Sequence, residues 1–101
     1  MAGYLIVDIA GIHDAKLYER YREQVAPSLQ AAGGRYLARG GAIEVLEGDW
    51  RPSRIVLVRF DTTRAAREWW ASDGYAPIRQ MRLDSAQTNM ILTEGLAAQP
   101  Q

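Results

Sequence analysis

The sequence contains no cysteine and only one histidine among its 101 residues. Without cysteine the chain can form no disulfide, no catalytic thiolate and no Cys-ligated metal site. His13 has no acidic residue at a recognisable metal-ligand spacing, so we expect neither a metal site nor a haem. Ser72 and Ser85 lack a histidine in a nucleophile arrangement, which argues against a serine hydrolase. Any catalysis is therefore expected to use Tyr, Glu, Asp or Arg side chains without a cofactor.

The chain also lacks net charge and long apolar runs. Its 12 Lys and Arg residues balance its 12 Asp and Glu residues. A protein that binds a phosphate backbone needs a basic face, so no nucleic-acid partner is expected. No apolar run approaches the roughly 18 residues of a membrane span, and no basic segment precedes the first apolar stretch. We therefore expect no signal peptide, no membrane partner and, by default, a cytoplasmic protein.

Apolar periodicity predicts a single domain over residues 1–96, followed by a flexible tail at 97–101. The predicted strands cover residues 4–10, 35–39 with an extension at 43–46, 53–61 and 88–94. One predicted helix runs from a cap at Asp14 to about Ala32, with a kink caused by Pro27. A second begins at Thr62 or Thr63 and resumes after an interruption at 72–74. The order strand, helix, two strands, helix, strand predicts a ferredoxin-like α+β fold, with both helices on one face of a four-stranded antiparallel sheet.

The central strands are apolar on both faces. One set of alternating positions contains Leu5, Val7, Ile9, Val56, Val58 and Phe60, and the other contains Tyr4, Ile6, Ala10, Ile55 and Leu57. Helices can cover only one face, so we expect the other to meet its own copy in a two-fold homodimer. The alternative is that loops and the tail cover it. Asp8 and Arg59 interrupt the second set and are expected to form a cross-strand ion pair there.

Four segments carry a resemblance to a known family: "YERYREQVAPSLQAAGGRYLARGG", "EVLEGDWRPSRIVLVRF", "EWWASDGYAPIRQMR" and "TEG". Together they resemble the domain-of-unknown-function 1330 family over residues 4–95. The resemblance implies a ferredoxin-like protomer in a dimeric α+β barrel, the architecture of antibiotic-biosynthesis-type monooxygenases, muconolactone isomerases and chlorite-dismutase relatives. It implies no established activity.

A small-molecule pocket is expected between the helices and the sheet. A hairpin would bring Glu47, at the end of the second strand, close to Arg54 at the start of the third. Glu47 could then act as a base while Arg54 or Arg39 polarises the oxygen of a conjugated carbonyl compound. The candidate ligand-binding residues are Tyr21, Arg39, Glu47, Arg54, Trp70, Ser72, Tyr75 and Arg82. The alternative for Glu47 and Arg54 is a structural salt bridge.

Two functions therefore remain open. The first is a homodimer that binds a small carbonyl- or carboxylate-bearing metabolite, with or without cofactor-independent catalysis. The second is a structural or interaction module without catalytic activity, whose buried arginines and aromatics hold the dimer together. A cavity between helices and sheet that reaches Arg54, Tyr75 and Arg82 would favour the first, and a filled interior would favour the second.

Overall fold

The chain alternates strands and helices in the predicted order. A computed structural model describes residues 1–97, so all but the first residue of the predicted tail lies outside the described residues. The strands are β1 (Gly3–Ile12), β2 (Arg35–Arg39), β3 (Ile55–Phe60) and β4 (Ala86–Glu94). The helices are α1 (Ala15–Ala31), α2 (Thr63–Ala71) and α3 (Ala76–Ser85). The βαββαβ prediction is confirmed, with the second helical region divided into α2 and α3.

The four strands form one antiparallel sheet in the order β2-β3-β1-β4. Strand β1 lies in the middle, where Leu5 is opposite Val58 of β3 and Leu92 of β4. Side chains at alternate positions share a face, so this register puts Leu5, Val58 and Leu92 on the same side of the sheet. The ferredoxin-like arrangement expected from the sequence is therefore present.

Side-chain caps begin the helices α1 and α2. The Asp14 carboxylate accepts a hydrogen bond from the backbone N–H of Leu17 at 3.1 Å, and the Thr62 hydroxyl accepts one from Ala65 at 3.0 Å. Each cap satisfies a backbone donor that the first helical turn leaves free. Helix α1 continues through Pro27 as a single span from Ala15 to Ala31, so the proline does not divide it.

The core lies between the helices and one face of the sheet. Its sheet side is formed by Leu5, Val7, Ile9, Val58 and Phe60, and its helix side by Tyr18, Tyr21, Val25, Leu29, Trp69 and Tyr75. Complete burial of one large apolar side chain contributes roughly 1.5–3 kcal/mol, so this layer supplies most of the stabilisation. The uniformly apolar positions of β3 thus face the helices, as strand parity predicted.

The predicted extension of the second strand at 43–46 is wrong. Residues 40–54 form a connecting loop without helix or strand, and all of 40–51 is exposed. Gly40, with φ of 70°, turns the chain away directly after β2. The apolar side chains that suggested a strand are instead exposed, with Ile43 and Val45 at 39% and Leu46 at 83%. Alternating apolar residues favour a strand only where a neighbouring strand exists, and β3 does not begin until Ile55.

The predicted ion pair between Asp8 and Arg59 is also wrong. The register of β1 and β3 puts Asp8 opposite Ile55 and Arg59 opposite Tyr4, so the two charges are several residues apart. Arg59 instead donates to Asp61 at 2.9 Å. Asp8 Oδ1 is buried and has no hydrogen-bond partner within residues 1–97. Spacing within one strand cannot determine the register between two strands.

The folded chain is flat. Its Cα atoms span 46 × 38 × 17 Å, and the short dimension corresponds to one sheet with one layer of helices. The face opposite the helices carries Ile6, Leu57 and Ile91. Ile91 is 59% exposed, so this side has no second layer at β4. None of the helices in the described part of the chain has the length and apolar character needed to cross a membrane.

Candidate functional site

A cavity of about 480 Å³ lies between α2, α3 and the outer strand β4. Its volume falls within the range of roughly 300–1,000 Å³ that is typical of small-molecule sites. The lining residues are Leu5, Ala66, Arg67, Trp70, Arg82, Leu83, Thr88, Met90, Ile91 and Leu92. The cavity is therefore mostly apolar, with two arginines and one hydroxyl as its polar side chains.

The inner wall of this cavity is buried and its rim is open to solvent. Leu5, Ala66 and Arg82 lie at the buried end. Trp70 and Leu83 are exposed at 42% and 51%, and they form part of the rim. A molecule could thus enter from the helix side and reach the buried arginine. Arg79 covers one face of the Trp70 ring at 4.7 Å from its centroid.

Arg82 is the principal charged group of the inner wall. Only 4% of this residue is exposed, and one of its terminal nitrogens donates to the Tyr75 hydroxyl at 3.0 Å. Its Nε is buried without a partner, and no carboxylate of residues 1–97 forms an ion pair with it. Tyr75 and Arg82 are seven residues apart, which is two helical turns and therefore one face. A buried cation thus lies beside an apolar cavity, with the neutral phenols Tyr75 and Tyr21 next to it and no carboxylate partner in the described chain.

Two tyrosines extend this polar group into the core. The hydroxyls of Tyr75 and Tyr21 lie 3.5 Å apart, and both residues are buried. Burial raises the pKa of the Tyr75 phenol above its ordinary value, and Arg82 partly opposes that rise. Burial, followed by the neighbouring Tyr75, also raises the pKa of Tyr21. Both phenols therefore remain neutral hydrogen-bonding groups at physiological pH.

The remaining predicted arginines lie in a different place. Arg39 and Arg54 line a second cavity of about 40 Å³ between α1, β2 and β3. Tyr21 lines this smaller cavity and also contacts Tyr75, which places it between the two sites. The predicted residues are thus divided, with Trp70 and Arg82 at the large cavity and Arg39 and Arg54 at the small one.

The structure does not bring Glu47 and Arg54 together within one chain. Glu47 is exposed on the connecting loop, and no ion pair joins it to Arg54 in the described residues. The prediction assumed that residues 43–46 pair with β3 as a hairpin, and this pairing is absent. The structure therefore does not support a catalytic pair within one chain in which Glu47 is the base and Arg54 polarises the substrate oxygen.

Ser72 has a structural position between α2 and α3. Its hydroxyl donates to the Trp69 carbonyl at 2.7 Å and accepts from the Tyr75 backbone N–H at 3.2 Å. These bonds fix the turn that precedes α3 and so orient Tyr75 toward Arg82. Ser72 does not line the large cavity.

Sequence reasoning missed most of the apolar lining. Thr88, Met90 and Leu92 occupy alternate positions of β4, and Leu83 follows Arg82 on α3. Their only signal was period-two alternation in the last strand, which indicates a buried face but no cavity. Among residues 1–97 no group of three or more His, Cys, Asp or Glu side chains could hold a metal ion.

A family model described as a domain of unknown function (DUF1330) matches residues 2–96. The chain belongs to this family. The resemblance noted from the sequence is therefore confirmed, and the family description assigns no activity. No functionally curated protein matches the chain in sequence.

Solved structures of similar fold come from several bacteria. A protein of unknown function from Rhodopseudomonas palustris has a TM-score of 0.75 at 15% identity, covering 96% of this chain and 84% of that one. SnoaB, a cofactor-independent oxygenase from Streptomyces nogalater, has a TM-score of 0.65 at 12% identity, covering 99% and 98%. A dabb family protein with a ferredoxin-like fold from Mesorhizobium loti has a TM-score of 0.66 at 11% identity, covering 95% and 98%. At these identities the likeness establishes the fold alone.

Proposed function

We propose that this protein binds a small metabolite bearing a carboxylate or carbonyl group in the large cavity between α2, α3 and β4. The observation that carries the proposal is Arg82, a buried arginine at the cavity wall with a free Nε and no carboxylate partner in the described chain. A buried and unpaired charge destabilises a fold by several kcal/mol, so such a group is retained where a ligand neutralises it. The planar guanidinium is suited to an anionic oxygen group.

The rest of the cavity favours a ligand with a large apolar part. Trp70 at the rim and Met90 and Leu92 along β4 offer flat and flexible apolar surface. The available volume of about 480 Å³ limits the ligand to a small molecule rather than a polymer segment. These features support a partly aromatic or conjugated acid or ketone whose oxygen lies against Arg82.

The same geometry supports chemistry without a cofactor. Arg82, which donates a hydrogen bond to the Tyr75 hydroxyl, would stabilise the negative charge on a carbonyl oxygen as the ligand releases a proton to solvent water at the open rim. Within the described chain none of the lining side chains is a carboxylate or an imidazole, so the ligand itself must be acidic enough to ionise beside Arg82. SnoaB, which has a similar fold, is described as a cofactor-independent oxygenase, and this supports the proposal by analogy.

We also propose that the working form is a homodimer joined through the uncovered face of the sheet. Ile6 and Leu57 lie side by side there on the central strands, and Ile91 continues the apolar surface onto β4. A second copy would bury this surface and the exposed apolar side chains of the connecting loop.

The binding proposal is tested by native mass spectrometry of freshly purified protein. The wild type is expected to carry a small molecule that is lost in Arg82→Met and retained in Arg64→Met, a matched change at an exposed arginine of α2. Leu83→Trp, at an exposed rim position, should narrow the entrance and reduce occupancy without disturbing the core. Equal occupancy in Arg82→Met and the wild type would contradict the proposal. A wild-type protein that carries nothing and binds no member of a library of aromatic acids would favour an interaction module instead.

A further inference from the structure

We propose that the small cavity between α1, β2 and β3 is a second site, which binds a compact oxyanion such as phosphate or a carboxylate group. Six polar side chains line it, namely Tyr18, Tyr21, Arg22, Tyr36, Arg39 and Arg54. Its other lining residues are apolar, so within the described chain no acidic side chain lines this cavity. This site is independent of the metabolite proposed for the large cavity.

Two of the three arginines of this second site have no ion pair in the described chain. Arg22 has an exposed ion pair with Glu19 at 3.3 Å, whereas neither Arg39 nor Arg54 has an ion pair within residues 1–97. The Nε atoms of Arg22 and Arg54 are buried without hydrogen-bond partners. Three neighbouring cations repel one another, and an anion between them would remove that repulsion and satisfy the free donors.

The backbone is shaped to hold the Arg54 guanidinium. Gly40 has a φ of 70°, and a Cβ at this position would come within 2.7 Å of Arg54 Cζ. The absence of a side chain at Gly40 therefore makes room for the guanidinium beside the end of β2. On the other side Arg39 lies over the Tyr36 ring, 4.6 Å from its centroid, which fixes a second guanidinium at the same cavity.

Size and polarity identify the class of ligand. A volume of about 40 Å³ accommodates about three water positions, which matches the oxygens of a phosphate or a carboxylate rather than a metabolite with a ring. The hydroxyls of Tyr18 and Tyr36 would add neutral donors to the three guanidiniums. Burial raises the pKa of both tyrosines, so both can donate at physiological pH.

The test is isothermal titration of the wild-type protein with inorganic phosphate and, separately, with acetate, both at matched ionic strength in chloride. We expect at least one of the two to bind, and the stronger one identifies the oxyanion. With a dissociation constant on the order of 1 mM, about 20 mM of that anion should raise the melting temperature by about 7 °C or more. Sulfate and phosphate stabilise many proteins by exclusion from the surface, so variants are needed to show a specific site.

Arg54→Met is expected to abolish the heat of binding and the anion-dependent shift in melting temperature. Arg35→Met, at an exposed arginine of β2 that pairs with Asp61 at 3.6 Å, should keep both. If Arg54→Met folds poorly, Arg39→Met replaces an exposed residue of the same cavity and should weaken binding at least tenfold.

Three results would overturn this second site. One is the absence of binding heat with either anion in the wild type. Another is an equal response in Arg54→Met and Arg35→Met, which would be a general salt effect. The third is anion binding that is absent in the wild type and is seen only in the combined variant Glu44→Gln, Glu47→Gln and Asp49→Asn, which removes three exposed carboxylates of the connecting loop. That result would show that loop carboxylates of a second copy occupy the cavity in place of a free anion.

Discussion

At the scale of single residues, Arg82 and Tyr75 depend on each other. The Tyr75 phenol accepts a hydrogen bond from the buried guanidinium at 3.0 Å, and the Tyr21 ring centroid lies 6.0 Å from Arg82 Cζ. Removing the Tyr75 hydroxyl would take this hydrogen bond away from a buried charge, whereas removing the charge leaves a neutral phenol that still lies beside Tyr21. The pair should therefore respond unequally to mutation.

We expect Tyr75→Phe to lower the free energy of unfolding by about 1–3 kcal/mol in the wild-type background. The same change in an Arg82→Met background should lower it by clearly less, since no buried cation is then left unpaired. Urea unfolding of the four proteins in this cycle measures the coupling. Equal effects of Tyr75→Phe in both backgrounds would show that the phenol does not stabilise the guanidinium.

Stability should also depend on pH through the buried tyrosines. Burial and the neighbouring Tyr75 raise the pKa of Tyr21 above its ordinary value of 10.0. Above about pH 10 the unfolded chain therefore releases this proton while the folded chain keeps it, and stability falls as the pH rises. Well above pH 10, each such tyrosine lowers the free energy of unfolding by about 1.4 kcal/mol per pH unit. Measured by urea unfolding between pH 9 and 11, the free energy of unfolding of Tyr21→Phe should fall less steeply with pH than that of the wild type. An equally steep fall would show that Tyr21 does not contribute to this pH dependence.

At the scale of elements, the start of β1 is packed directly against the start of α2. A Cβ on Gly3 would lie 2.7 Å from Thr63 Cα and 2.9 Å from its backbone nitrogen. Backbone atoms cannot move aside as a flexible side chain can, so Gly3→Ala should destabilise the fold by about 1–3 kcal/mol. Gly11→Ala, in the same strand with no atom within 4 Å, is the matched control and should be close to neutral. Similar melting temperatures for the two variants would show that β1 and α2 can separate freely.

The sequence predicted best those elements whose signals are local. The caps at Asp14 and Thr62 and the alternation of β3 depend on neighbouring residues, and the structure has them as expected. The segment from Ile43 to Leu46 has the same alternation, yet it is exposed because no strand is available to pair with it. Periodicity describes what a segment would bury, whereas pairing depends on the rest of the chain.

Local sequence patterns also predicted only part of the candidate site. Tyr75 caps the start of α3 and Arg82 lies two turns further along it, so their spacing alone placed them on one face, where they form a hydrogen bond. The pairing of Glu47 with Arg54 required a turn geometry that sequence does not specify, and it is absent from the described chain. The division of the arginines between two cavities depends on how the helices pack against the sheet, and no local sequence pattern specifies that packing.

At the scale of the whole molecule, the uncovered sheet face predicts a homodimer. Sedimentation at micromolar concentration should give about twice the chain mass of 11.3 kDa. Ile91→Asp is the informative variant, because this residue is 59% exposed in the single protomer and a charge there should dissociate the dimer without unfolding it. Leu83→Asp, on the helix side, should leave the mass unchanged. A monomeric wild type would contradict the dimer.

The position of β1 between β3 and β4 also determines when the sheet can be completed during synthesis. Strand β1 ends at Ile12, whereas its partner β4 begins only at Ala86. Until that point one edge of β1 has no strand to pair with, and the inner side chain of Leu5 lacks its neighbour Leu92. Pairings between distant segments form slowly and leave apolar strands open to aggregation in the meantime. A nascent chain arrested before Ala86 is therefore expected to be held by chaperones or degraded rather than to adopt a stable partial fold.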